Sequence, residues 1–80
     1  MMDATTHRPL SVSAAQDAGP YIVIPFAQLE QVTSLLDENA ISYWVDDEAL
    51  SVDGKPEVIF VNFSAQTHPT TVQRLLDSVP

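Results

Sequence analysis

Ile41-Ser42-Tyr43-Trp44-Val45-Asp46-Asp47-Glu48-Ala49-Leu50-Ser51-Val52-Asp53-Gly54-Lys55-Pro56-Glu57-Val58-Ile59-Phe60-Val61-Asn62-Phe63 decides the fold. Residues 41–46 alternate, with Ile41, Tyr43 and Val45 on one side and Ser42, Trp44 and Asp46 on the other, the period of a strand with two unlike faces. Asp53-Gly54 is a two-residue hairpin signal, because a type I′ turn needs positive φ at both central positions. Residues 57–63 then return as the partner strand.

Parity sharpens this hairpin. A two-residue turn at Asp53-Gly54 sets Val52 opposite Lys55, so Leu50 and Val52 share a face with Ile59, Val61 and Phe63. Uninterrupted pairing would bring Trp44, Asp46 and Glu48 to that same face. One extra residue within Asp46-Asp47-Glu48 turns Ile41, Tyr43 and Val45 inward instead, so a β-bulge is expected at 46–48.

Outward from the hairpin, Tyr21-Ile22-Val23-Ile24 is a β-branched run closed by Pro25, and its lack of polar alternation predicts a strand buried on both faces. Phe26, Leu29, Val32, Leu36 and Ala40 recur at spacings of three and four, with Leu35 widening the stripe and Gln28, Glu30 and Gln31 opposite. A helix is expected over 27–38, ending near Asn39, which tolerates the left-handed conformation. Pro69 followed by Val72, Leu75, Leu76 and Val79 predicts a second amphipathic helix over 69–78. Residues 1–19 are small and polar and read as a disordered tail before a single domain over 20–80. A weak alternation of Leu10, Val12 and Ala14 offers a short edge strand there.

The order strand, helix, hairpin, helix is that of a small α+β, ferredoxin-like βαββα sandwich lacking its fourth strand. Right-handed crossovers put both helices on one face of a three-stranded antiparallel or mixed sheet of order 1-3-2. The other face then displays Trp44, Val58 and Phe60, joined by either Tyr21 and Val23 or Ile22 and Ile24. Such an aromatic-centred patch on a small monomer marks an interaction surface.

Composition limits the functions. At 80 residues, a chain buries only about 60 to 65% of its unfolded surface, so stability rests on a small core or on association. There is no cysteine, which removes disulfides and thiolate metal sites. Eleven acidic residues against three basic ones give a net charge of −8, which argues against nucleic acid and anionic membranes as partners. No apolar run approaches a membrane span or a signal peptide, so a soluble, cytoplasmic protein is expected.

Candidate chemistry is sparse. Asp46-Asp47-Glu48 with Asp53 nearby could hold a hard cation, but the spacing fits no EF-hand loop and a solvated bulge is expected, with no metal. His68, before Pro69, sits at a helix start without a named nucleophile, and His7 lies in the tail. The two glycines, Gly19 and Gly54, form no phosphate loop, no serine sits in a nucleophile elbow, and neither a cofactor nor enzymatic activity is expected.

One local resemblance stands apart from these readings. Phe60-Val61-Asn62-Phe63 resembles the tail of the central-strand signature of RNA-recognition motifs, a family with βαββα order and aromatics on its open sheet face. Pro56-Glu57-Val58-Ile59 stands where the basic residue and Gly-aromatic-Gly portion would precede it, and the charge opposes RNA. The expected function is a non-enzymatic protein-interaction or regulatory module that forms a homodimer through the Trp44, Val58 and Phe60 face or an edge strand. The alternative is a metabolite-sensing domain resembling ACT modules, with its ligand at a dimer interface; topology alone suggests it.

Overall fold

The computed structural model describes residues 1–14, 19–46 and 57–79. It is a small α+β fold with two helices and a four-stranded antiparallel sheet. The strands are β1 (Ser13–Ala14), β2 (Pro20–Pro25), β3 (Tyr43–Val45) and β4 (Val58–Phe63), and the helices are α1 (Leu29–Glu38) and α2 (Pro69–Asp77). The sheet order is β1-β2-β4-β3. Both β2 and β3 are antiparallel to β4, so they run the same way and α1 makes the crossover that parallel strands require.

Burial alternates along β4, with Ile59, Val61 and Phe63 buried and Val58, Phe60 and Asn62 half-buried. Ile22 and Ile24 of β2 join the buried side. Val32 and Leu36 of α1 and Val72 and Leu76 of α2 complete the same cluster, so both helices cover one face of the sheet. Each such side chain contributes about 1.5 to 3 kcal/mol when fully buried.

Three readings of local sequence are corrected. The first strand is not buried on both faces: Tyr21 is half-buried and Val23 is 38% exposed, because among the described residues no layer covers their side of the sheet. The first helix does not carry its stripe back to Phe26. A 3₁₀ turn over Phe26–Gln28 changes the phase, leaving Phe26 49% exposed and turning Gln28 inward. At the other end Asn39 has φ of −105°, and the left-handed residue is Ala40, at φ 56°.

That end is a Schellman motif. Ile41 N–H donates to the Leu36 carbonyl at 3.0 Å and Ala40 N–H to that of Asp37 at 3.2 Å, which satisfies two carbonyls otherwise left without helical partners. Half-buried Ile41, at the position after the left-handed residue, packs on the core that holds Leu36. The motif therefore sets the direction in which the chain enters β3.

The expected three-stranded sheet gains a fourth strand from the segment read as a tail: Ser13 pairs with Tyr21 and Ala14 with Pro20. Residues 1–10 form a folded-back loop in which Leu10 N–H donates to the Met1 carbonyl at 2.9 Å and Asp3 N–H to that of Arg8 at 2.8 Å. Met1 and Leu10 are buried in the helix-side cluster, and the Met1 amino group donates to the Leu76 carbonyl. Two glutamines hold this loop. Gln28 accepts from Ala4 N–H at 2.9 Å and donates to the Met2 carbonyl at 2.8 Å. Gln73 accepts from Val12 N–H at 2.8 Å and donates to the Leu10 carbonyl at 3.0 Å.

Gly19 makes the entry to β2 possible. A Cβ there would stand 2.6 Å from the Ser64 carbonyl carbon and 2.8 Å from its oxygen, against the Phe63 carbonyl as well. Backbone lies against backbone at this point, and only glycine fits.

The Asp53-Gly54 turn, the strand expected at Leu50-Ser51-Val52 and the bulge beyond Asp46 lie outside the described residues. Asp46 itself continues the ladder, its N–H donating to the Phe60 carbonyl at 3.1 Å. Before it, Val45 pairs with Val61. Ile41, Tyr43 and Val45 are half-buried on the helix side and Trp44 points away.

Candidate interaction surface

The uncovered side of the sheet is built in rows by the register. Ser13, Tyr21, Asn62 and Trp44 form one row across β1, β2, β4 and β3, and Val23, Phe60 and Asp46 form the next. Val58 lies beyond them opposite Pro25. The expected surface residues Trp44, Val58 and Phe60 thus share one face, and of the two candidate pairs on β2 it is Tyr21 and Val23 that join them.

Trp44 is 55% exposed. Phe60 is half-covered because Tyr21 stacks on it, the ring centroids 5.7 Å apart and the planes inclined by 25°. The two are diagonal neighbours across β2 and β4, within reach of aromatic side chains. The Asn62 amide Nδ2 donates to Asp46 Oδ1 at 2.8 Å. A carboxylate held by Asn62 therefore stands at the β3 edge of this face, with Asp46 beside Phe60 and Trp44 beside Asn62. The pairing of Asn62 with Asp46 is invisible to sequence periodicity, since it depends on a register set by side chains on the other face.

Gln28 and Gln73 hold the backbone of residues 2–12, Met1 and Leu10 are buried among the helices, and Ser13–Ala14 join the sheet as β1. Of the described cations, Arg8 is in that loop and Arg74 is on α2, where it lines a cleft with Asn39 and Ile41. Among the described residues the open face carries a carboxylate and no cation.

Elsewhere the surface has shallow grooves. One of about 420 Å³ lies between Asn39, Ile41, Arg74 and Leu75. A neighbour of about 320 Å³ is lined by Ser42, Ser64, Thr67 and His68. His68 is exposed at the N-cap of α2 and its side chain caps no backbone N–H. Its carbonyl accepts from Thr71 N–H at 3.0 Å. Ser64 and Thr67 share a hydroxyl hydrogen bond of 3.1 Å. The groove brings these groups near one another with no charged partner for the imidazole among its lining residues. Among the described residues no three acidic or histidine side chains come together as a metal site, and none of the described helices is long and apolar enough to cross a membrane.

Compared with protein-family models, curated proteins and solved structures, the chain matches none.

Proposed function

We propose that this chain is a small non-enzymatic protein-interaction module whose working surface is the open face of the sheet. The observation that carries the reading is Trp44, more than half exposed in a row with Tyr21 and beside the Tyr21–Phe60 stack, on a face that neither α1 nor α2 covers. Aromatic residues supply most of the affinity at protein interfaces, and leaving three on one side of a core this small has a cost in exposed apolar area that a partner would remove.

In this reading the architecture is a variant of the ferredoxin-like layout, with Ser13–Ala14 standing beside the first long strand where that fold's last strand would lie. Self-association is one form of the reading, through stacked open faces or the β1 edge, and a cytoplasmic regulatory role fits the acidic composition. The ACT-like alternative would place a metabolite between two copies and so depends on that dimer.

Light scattering across a concentration series, together with emission from Trp44, the only tryptophan of the chain, tests the reading. A protein that stays monomeric and whose Trp44 emission answers to neither apolar nor basic peptides contradicts it.

A further inference from the structure

From the charge on this face we infer its occupant: an arginine-bearing segment of another protein, with a guanidinium lying over the Trp44 and Tyr21–Phe60 rings and paired with Asp46. The inference rests on the open face being an interaction surface, and it deepens that reading by naming the partner's chemistry.

Asp46 decides between the two kinds of occupant. In a two-fold dimer the same patch meets itself, so two Asp46 carboxylates would be desolvated together. Among the described residues this face has no cation to pair with either of them, and a carboxylate taken from water without a counter-charge is strongly unfavourable. A cationic partner reverses the sign. It meets a chain of net charge −8, with the two described cations, Arg8 and Arg74, carried by the amino-terminal loop and by α2. Long-range attraction then favours encounter, and Asp46 fixes the register of the contact.

The fit is to arginine more than to lysine. A guanidinium is planar, stacks on aromatic faces and is weakly hydrated, so it can lie on a flat sheet face while its N–H groups reach a carboxylate at the edge of the rings. Asn62 occupies one position on Asp46 Oδ1, and a carboxylate offers about four acceptor positions in all. Asn62 is thus a positioning residue that aims the carboxylate, while Val23 and Val58 supply apolar surface for side chains flanking the arginine.

The test titrates the full chain with a peptide of alternating arginine and leucine, with a counterpart carrying glutamine for arginine, and with a lysine version, reading Trp44 emission. The arginine peptide is expected to give a saturable change, at least tenfold tighter than the glutamine peptide and tighter than the lysine one. Asp46→Asn, nearly isosteric, is expected to weaken it at least tenfold. Glu30→Gln, which removes an exposed charge of equal size from α1, is expected to change it less than twofold. Equal loss in both variants would overturn the proposal, because it would mean attraction to net charge alone. Equal binding of the glutamine peptide would overturn it while leaving the face as an interaction surface. No response to any peptide, with a dimer in light scattering that Trp44→Asp dissolves, would also overturn it in favour of a second copy. No response and no dimer would remove both the proposal and the reading beneath it.

Discussion

Tyr21 lies stacked on Phe60 across β2 and β4, with ring centroids 5.7 Å apart, on the face of the sheet that neither α1 nor α2 covers. The pair stabilises the sheet from its exposed side and keeps Phe60 flat against it. Aromatic pairs contribute about 0.5 to 1.5 kcal/mol beyond the area they bury. A double-mutant cycle with Tyr21→Leu and Phe60→Leu, read by urea unfolding, should give a coupling energy of about 1 kcal/mol. Coupling indistinguishable from zero would mean that the rings do not stack in solution.

Gln28 fastens the amino-terminal loop from the start of the helical layer. Both ends of its amide are engaged, by Ala4 N–H and the Met2 carbonyl, and it is 9% exposed. Gln28→Ala would leave partly buried backbone groups without partners, which costs about 1 to 3 kcal/mol. Hydrogen exchange should show faster exchange at Ala4, with protection in β4 falling only by the global loss. Unchanged stability and exchange would show that the loop is held by Met1 and Leu10 alone.

Ala40 is strained where a glycine would not be. At φ 56° its Cβ crowds the backbone, and L residues other than glycine hold this conformation at a cost of about 1 to 2 kcal/mol. Part of that gain is offset by the greater freedom of glycine in the unfolded chain. Ala40→Gly should raise stability by about 0.5 to 1 kcal/mol, which is a melting-point rise of about 4 °C. A fall in the melting point would contradict the Schellman assignment.

Tyr43 sets a limit at high pH. Its hydroxyl donates to Asp37 at 3.0 Å, and partial burial, together with that bond and the Asp37 charge, raises its pKa above the ordinary 10.0. The folded state holds this proton more tightly than the unfolded chain does. The contribution is therefore complete below pH 10 and is lost as the pH rises through the raised value. Urea unfolding from about pH 9 to about pH 11.5 should show a steeper loss for the native chain than for Tyr43→Phe. Parallel curves would remove the bond from the account of stability.

Periodicity was enough to place both helices on one face, because Ile59, Val61 and Phe63 must be buried together and a one-residue slip would expose them all, whereas an outward Trp44 needed the further expectation of one extra residue at 46–48. What it could not reach was the role of polar side chains. Gln28 reads as a member of a solvated helix face and Gln73 fits no pattern, yet an amide that both donates and accepts matches an extended backbone segment, and these two hold residues 2–12 in place. With few large apolar residues before Pro20, that loop is fixed by hydrogen bonds to distant helices, which no local pattern encodes. The Asp46–Asn62 pair was hidden for a related reason: sixteen positions separate the two residues, and only register joins them.

Acrylamide quenching of Trp44 in the dilute chain, at a concentration where light scattering gives a monomer, bears most directly on the open face. Trp44 is the sole tryptophan and stands 55% exposed. Its emission should be solvent-like and readily quenched in the free chain, and protected once the arginine–leucine peptide is added. A blue-shifted tryptophan already shielded in the monomer would mean that the chain covers this face itself, and would contradict its assignment as an interaction surface.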